Sequence, residues 1–212
     1  MPSGSGSENE STRVDRMKTV CVFCGSSPGS DPTYSEAAKA TGVALVCRGL
    51  QLVYGGGKVG LMGALADAVL SAGGRVVGVI PRVLADSEIA HQGLSELQVV
   101  ETMHERKARM AELGEAFIAL PGGAGTLEEI FEQWTWAQLG VHVKPCGFLN
   151  VKGYFDPLLE MIRRMTAEQF MRPEYASMLM VETEPERLFA KFAAYHPLTR
   201  KWPVEGAIAV ES

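Results

Sequence analysis

The sequence predicts a doubly wound, Rossmann-like α/β domain with a parallel sheet of about seven strands and helices on both faces. Short apolar runs alternate along the chain with longer segments that have a helical period. Most of the short runs are apolar at consecutive positions, which is typical of strands buried on both faces of a parallel sheet. In such a fold, ligands bind at the carboxyl ends of the strands.

The predicted elements follow one another in strict alternation over most of the chain. The strands are the runs at 19–27, 50–57, 75–81, 97–102, 116–123, 144–150 and 177–182, and the helices are the segments at 32–49, 60–74, 103–114, 125–140, 155–170 and 185–196. Gly49 is a typical residue to close the first helix, and the alanines and glycines of the second helix suit close packing on a sheet. Residues 81–95 lack a clear period, so we expect a loop near the site.

Composition and length bound the class of protein. The chain has 212 residues, of which 46% are hydrophobic and 21% charged, as in an ordinary soluble protein. Residues 1–16 are polar and are expected to form a disordered lead, whereas 17–212 contain no repeat or linker and are expected to form one nucleotide-binding domain. The lead has no apolar centre of a signal peptide, and no apolar run reaches the ~18 residues of a membrane helix. We therefore expect a cytoplasmic protein.

Charge and cysteine content exclude further classes of function. A net charge of −5 argues against binding of a nucleic-acid polymer, although a local pocket could still bind a small anion. Cys21 and Cys24 form a C-x-x-C, but no second cysteine pair or neighbouring histidine completes a zinc set. We interpret both as buried apolar residues and expect no metal site.

Three glycine-rich turns follow predicted strands, at 24–30, 54–63 and 121–126. Glycine lets backbone N–H groups approach an anion, and the start of a helix adds partial positive charge. Three such turns at one edge of a sheet indicate a ligand that carries phosphate, with Gly25, Ser26 and Gly56 among the candidate contacts. None of the turns has the spacing of a P-loop. Residues 55–60 can be matched to G-x-G-x-x-G, but the next predicted strand ends in Pro81 rather than in the acidic residue of a dinucleotide site.

Charged residues near these turns allow two interpretations. Arg106 is part of a basic helix face that could simply be solvated, or it could point into the cleft and bind an oxyanion. Glu128 and Glu129 are placed in the first turn of a helix, where the dipole favours carboxylates without any further role. Alternatively, a carboxylate there could stabilise the positive charge that a sugar gains when a glycosidic bond breaks. A nucleoside 5'-monophosphate would use both the amides and the carboxylate.

The segment "PGGAGTLEE", preceded by "MHERK", resembles the signature of the LOG (Lonely Guy) family of cytokinin riboside 5'-monophosphate phosphoribohydrolases. "CVFCGSS", "LVYGGGKVGLMG", "TWAQLG" and "FLNVKGYFDPLL" are similar to family segments in the same order, so the resemblance covers residues 18 to about 196. Such proteins are often labelled lysine decarboxylases. That label has no chemical support here, because no lysine lies in a recognisable pyridoxal phosphate site.

The resemblance implies hydrolysis of an N6-modified purine nucleoside 5'-monophosphate to the free cytokinin base and ribose 5-phosphate. It implies that Arg106 and Glu129 are catalytic, and it implies no metal or organic cofactor. The substrate-binding positions that it implies are Glu88, Lys107, Gly122, Gly123, Ala124, Gly125, Thr126, Leu127 and Glu128. The loop around Glu88 departs from the family pattern, which leaves the preferred base open.

The resemblance also implies a homodimer, and some members of the family assemble further. Trp134 and Trp136 are two residues apart and cannot share one helix face, so we expect one in the core and the other in a subunit contact. Two other functions stay open. One is a general nucleosidase for AMP or other mononucleotides, and the other is a non-catalytic nucleotide-binding module.

Overall fold

Seven strands form one parallel sheet in the computed structural model, which describes residues 17–85 and 90–197. They are β1 (Thr19–Phe23), β2 (Gln51–Tyr54), β3 (Val76–Pro81), β4 (Glu96–Val100), β5 (Phe117–Ala119), β6 (Cys146–Leu149) and β7 (Leu179–Glu182). The strand order is β4-β3-β2-β1-β5-β6-β7, and every neighbouring pair is parallel. The predicted fold class is therefore confirmed. The expected lead at 1–16, Glu88 and residues 198–212 lie outside the described residues.

Helices lie between the successive strands and after the last one, and all six predicted helices are present. The described helices are α1 (Pro32–Cys47), α2 (Gly60–Ser71), α3 (Arg82–Ala85), α4 (Met103–Leu113), α5 (Ala124–Leu139), α6 (Asp156–Ala167), α7 (Pro173–Ser177) and α8 (Pro185–Ala193), with one 3-10 turn at Val151–Gly153. Sequence reasoning missed α3, α7 and the 3-10 turn, because elements of three to five residues are too short to show a period. The prediction of a loop over 81–95 was wrong at its start, since Pro81 ends β3 and α3 follows it directly.

The sheet separates two apolar clusters, and β1 shows how its residues divide between them. Val20 and Val22 pack into the cluster on one face, while Cys21 and Phe23 pack into the cluster on the other. Cys24 belongs to the first cluster, so Cys21 and Cys24 lie on opposite sides of the sheet. Both are free and buried. The interpretation of this C-x-x-C as two buried apolar residues is confirmed.

The strand order reverses at the centre of the sheet, between β1 and β5. From β1 the chain proceeds to β4 at one edge, then returns to place β5 on the other side of β1. The loops that leave β1 and β5 therefore open a crevice at the carboxyl edge, which is where doubly wound folds bind their ligands. Among the described residues, no helix is long and apolar enough to cross a membrane.

Candidate active site

The turn after β1 packs directly against the turns after β5 and β2. The amide of Gly25 donates to the carbonyl oxygen of Pro121 at 3.0 Å, and the amide of Leu61 donates to the carbonyl oxygen of Gly25 at 3.0 Å. A Cβ atom on Gly60 would lie 2.3 Å from the carbonyl carbon of Ser26, so only glycine permits this approach. The three glycine-rich turns thus converge at one point of the sheet edge, as the sequence predicts.

The start of α5 offers free backbone donors to this crevice. Gly123 precedes the helix, and Gly123, Ala124 and Gly125 are exposed. A Cβ on Gly123 or Gly125 would meet no atom within 4 Å, so open space lies in front of them. Amides in the first turn of a helix have no intrahelical acceptor. The arrangement can therefore hold an anion, with Thr126 and Leu127 packed behind it as buried and half-buried residues.

Arg106 is buried against β3 and against the residue that follows β2, rather than spread on a solvated face. Its Nε donates to the carbonyl oxygen of Val79 in β3 at 3.1 Å, and its Nη1 lies 3.0 Å from Oε1 of Glu129. A Cβ on Gly55, directly after β2, would lie 2.1 Å from Nη2 of Arg106. The side chains of Arg106 and Glu129 are only 11% and 12% exposed. The structure therefore favours the interpretation that Arg106 points into the cleft.

Burial and the neighbouring cations act in opposite directions on the pKa of Glu129. Burial raises the pKa of Glu129, and the neighbouring guanidinium of Arg106 opposes that rise. The negative charge of Glu128 raises this pKa further, and the ammonium of Lys107 lowers it. A buried carboxyl whose pKa is raised is suited to exchange a proton with a reacting group.

Glu128 and Glu129 do not lie in the first helical turn, and that prediction was wrong. Because α5 begins at Ala124, they are its fifth and sixth residues, and the first turn contains no acidic side chain. The helix dipole acts mainly within the first turn. Stabilisation by the dipole therefore accounts for neither carboxylate.

Lys107 contacts carboxylates rather than open space. Its Nζ lies 2.5 Å from Oε1 of Glu128 and 3.0 Å from Oε1 of Glu132, and its side chain is 12% exposed. The hydrogen bond to Glu128 raises the pKa of Lys107, against the effect of burial. Sequence reasoning missed Glu132, although its spacing of four residues from Glu128 places both on one helix face.

The remaining candidates differ in their surroundings. Gly56 is buried with φ +76°, and its carbonyl oxygen accepts from the amide of His91 at 2.9 Å, so it shapes the turn after β2 from within. Ser26 is exposed beside Gly60. Sequence reasoning also missed Tyr154, whose hydroxyl donates to the carbonyl oxygen of Gly122 at 2.6 Å. Their roles in substrate binding stay predictions.

Two further sequence predictions concern the tryptophans and metal ions. Trp134 is 1% exposed and its Nε1 donates to the carbonyl oxygen of Tyr175 at 3.0 Å, which confirms a core position for one tryptophan. Trp136 is half-buried, and its expected subunit contact stays a prediction. Within 17–85 and 90–197, no three histidine, cysteine or acidic side chains are placed together so that they could hold a metal ion.

Solved structures of low sequence identity share this architecture. The molybdenum cofactor binding protein from Rippkaea orientalis has a TM-score of 0.65 at 19% identity, covering 84% of this chain and 97% of that protein. The molybdenum cofactor carrier protein from Chlamydomonas reinhardtii has a TM-score of 0.63 at 20% identity, covering 83% and 96%. At this level of identity the likeness concerns the fold alone.

Sequence comparison gives a much closer set of relatives. A family model described as "Possible lysine decarboxylase" matches residues 62–192. The probable cytokinin riboside 5'-monophosphate phosphoribohydrolase LOGL2 of Oryza sativa subsp. japonica is 48% identical over 186 residues, which cover 88% of this chain and 76% of the rice protein. The cytokinin riboside 5'-monophosphate phosphoribohydrolase LOG5 of Arabidopsis thaliana is 47% identical over 196 residues, covering 90% and 86%. With its pair of Arg106 and Glu129 beside a glycine-rich helix start, this chain belongs to the LOG family of cytokinin riboside 5'-monophosphate phosphoribohydrolases.

Proposed function

We propose that this protein hydrolyses the N-glycosidic bond of a cytokinin riboside 5'-monophosphate, releasing the free base and ribose 5-phosphate. The relatives that are 46–48% identical over most of the chain carry this activity in their names. The structural observation that supports it best is the buried pair of Arg106 and Glu129, one helical turn beyond exposed amides. A nucleoside 5'-monophosphate needs an anion site for its phosphate and, about one helical turn away, a carboxylate for its sugar.

The phosphate occupies the start of α5 in this proposal. The amides of Gly123, Ala124 and Gly125 donate to its oxygens, and the partial positive charge of the helix start adds to the attraction. Ser26 is exposed in the turn after β1, which packs against the turn after β5. The sugar then extends along α5 towards Glu129.

Glu129 acts on the sugar at C1'. As the bond from C1' to the base nitrogen breaks, its electron pair leaves with the base, and the sugar gains oxocarbenium character. The carboxylate of Glu129 stabilises that positive charge and accepts a proton from the water that adds to C1'. The departing base takes up a proton to become neutral. The net reaction consumes one water and forms one C–O bond for the C–N bond that breaks.

Arg106 holds Glu129 in a defined position. Its guanidinium is fixed by Val79 on one side and by the carboxylate on the other, so Oε1 of Glu129 cannot rotate freely. The positive charge also opposes the rise that burial causes in the pKa of Glu129. Arg106 thereby favours the ionised form of Glu129.

A lysine decarboxylase, as the family model is described, requires different chemistry. An enzyme that forms a Schiff base needs a lysine whose amine can lose its proton. Lys107 is held by the carboxylates of Glu128 and Glu132. They favour its charged form, and its pKa is raised. The residues present therefore fit glycosidic hydrolysis better than decarboxylation.

We also propose that the protein forms a homodimer. Leu139 at the end of α5 and Phe170 after α6 are 66% and 90% exposed, and both line one cavity of about 420 Å³. Val141, two residues further, is 67% exposed. Exposed apolar side chains grouped in this way are typical of protein contacts. Analytical ultracentrifugation of the wild type and of Phe170→Asp tests this, since a dimer through this surface should dissociate in the variant.

The substitution Glu129→Gln tests the proposed activity. The purified wild type and the variant are incubated with N6-isopentenyl-AMP and with AMP, and free base is followed by chromatography. We expect release from N6-isopentenyl-AMP, and a fall of at least about 100-fold in kcat for the variant. Binding of either nucleotide, measured by calorimetry, should survive. Glu112→Gln serves as the matched control, because Glu112 pairs with Arg109 on the exposed side of α4.

Three results would contradict the proposal in different ways. Release from AMP alone would indicate a general nucleotide nucleosidase. Binding without release would indicate a nucleotide-binding module. Full activity in Glu129→Gln would show that this carboxylate does not perform the reaction.

A further inference from the structure

Lys107 is held between two carboxylates that differ in how exposed they are. Glu128 and Glu132 lie one turn apart on α5, and the ammonium of Lys107 reaches from α4 to both. The side chain of Glu128 is 56% exposed, whereas that of Glu132 is 23% exposed. The second oxygen of Glu132, Oε2, is buried and has no hydrogen-bond partner within the described part of the chain. Glu132 is therefore the more buried end of this bridge and Glu128 the more exposed one.

Lys107 belongs to the set of charges that act on Glu129. The ionisable groups that face Glu129 are Arg106 and Lys107 from α4, Glu128 from α5, and the thiols of Cys21 and Cys24 at β1. Burial raises the pKa of both thiols, so they stay neutral. The charge of Glu128 therefore acts directly on Glu129, and Lys107 is the cation that lies against Glu128 and offsets it.

A lysine on an exposed carboxylate alone would be free to turn towards solvent. Its four-carbon stem carries substantial rotamer entropy, and an exposed ion pair offsets little of it. The buried oxygen of Glu132 changes this balance, because a carboxylate with one oxygen out of reach of water gains more from a nearby cation. Two carboxylates four residues apart on a helix also repel one another unless a cation lies between them. Each of these effects keeps the ammonium in place.

We propose that Glu132 is a positioning residue for the reaction: it anchors Lys107 beside Glu128, so that the charge of Glu128 is neutralised and Glu129 alone presents a reactive carboxylate to the sugar. This inference rests on the proposed function. It assigns Glu132 no contact with the substrate. Its effect passes through Lys107.

The test compares Glu132→Gln, Lys107→Met and the double variant with the wild type, using the release of base from N6-isopentenyl-AMP across pH 4 to 9. Glutamine keeps the shape of Glu132 and removes its charge. We expect about a tenfold lower kcat in Glu132→Gln, because a small misplacement of charge at a reacting centre is costly. The acidic limb of the pH profile should move to higher pH in both single variants, since the neutralising ammonium is displaced or absent.

The double variant shows whether Glu132 acts through Lys107. If it does, Lys107→Met/Glu132→Gln should be no slower than Lys107→Met alone, and the two effects should not multiply. Glu112→Gln is the control for loss of one helix ion pair, and it should keep the pH profile of the wild type. Thermal unfolding of each variant separates a loss of rate from a loss of folded protein.

Each contrary result has a separate meaning. An inactive wild type would overturn the proposed function, and this inference with it. An active wild type with an unchanged acidic limb in Glu132→Gln would overturn only the role of Glu132, even if the rate fell, because a purely structural role lowers stability without moving that limb. Effects that multiply in the double variant would likewise overturn the link through Lys107.

Discussion

The substitution Gly55→Ala tests whether the position of Arg106 controls the site. The new Cβ would lie 2.1 Å from Nη2 of Arg106 and 3.5 Å from Sδ of Met62. Gly55 is not one of the glycines with positive φ, so its backbone accepts alanine and the clash is with the guanidinium. To restore an ordinary contact, Nη2 must move by about 1.3 Å. That shift of the guanidinium would lengthen and weaken the contacts of Arg106 with Val79 and Glu129, now at 3.1 and 3.0 Å.

The expected magnitude follows from those two contacts. A hydrogen bond to a charged group contributes roughly 1.5–3 kcal/mol, so partial loss of both should cost about 2–4 kcal/mol of stability. For a chain of this size that corresponds to a fall in Tm of about 5–15 °C. The displacement of the guanidinium should lower kcat by about 100-fold. Scanning calorimetry and the release of base measure the two effects.

The same substitution made in the Arg106→Ala variant makes this prediction refutable. In Arg106→Ala the guanidinium is absent, and there Gly55→Ala should be neutral or stabilise the protein by up to about 1 kcal/mol. Gly93→Ala is the control for replacing a glycine by alanine, since Gly93 is exposed and its Cβ would approach only the side chain of His91. Wild-type turnover in Gly55→Ala, or an equal loss of stability in the Arg106→Ala background, would refute the reasoning.

Three further predictions concern the contact of Tyr154 with Gly122, the 5'-phosphate of the substrate and the half-buried His142. Tyr154→Phe removes the donor to the carbonyl oxygen of Gly122, so steady-state kinetics should show KM raised by about 3–10-fold with kcat largely kept; an unchanged KM would exclude this role. The nucleoside without its 5'-phosphate should lose at least about 100-fold in kcat/KM, since the amides before Glu129 then have no anion to bind; equal rates would place the phosphate elsewhere. Burial lowers the pKa of His142 to about 4, with the charge of Lys144 as the second cause. Between about pH 6.5 and 4 the unfolded chain therefore binds a proton that the folded chain does not, and stability falls as the pH drops through this window. Asparagine can still accept from the amide of Lys144, so His142→Asn should remove about 2 kcal/mol of that loss in urea unfolding, and an unchanged pH slope would contradict this.

The sheet could be predicted from the sequence because strand and helix patterns are local. Each buried strand is recognisable from its own run of apolar residues. The glycine-rich turns indicate where strands end, whatever the sequence of the rest of the chain. The error over the first turn of α5 and the missed short elements were local, because helix starts and elements of three to five residues give no clear sequence pattern. The missed partners of Lys107 and Gly122 depend instead on contacts between distant segments. Lys107 and Glu132 are 25 residues apart, and Tyr154 and Gly122 are 32 apart. In the sequence, Gly56 resembles the other glycines of the turns. Only the structure shows that its carbonyl oxygen accepts a hydrogen bond from the amide of His91.

A phosphate and two carboxylates can share one helix because they occupy different turns of it. The exposed amides belong to residues 123–125, whereas Glu129 lies five residues after Ala124, a rise of about 7.5 Å. Each carboxylate is also paired with a cation from α4, Lys107 for Glu128 and Arg106 for Glu129. A phosphate at the helix start therefore experiences the amides and the dipole more strongly than it experiences those charges. In the proposed binding mode, this spacing is on the scale of a ribose 5-phosphate and puts the carboxylate of Glu129 at the end of the sugar where positive charge develops.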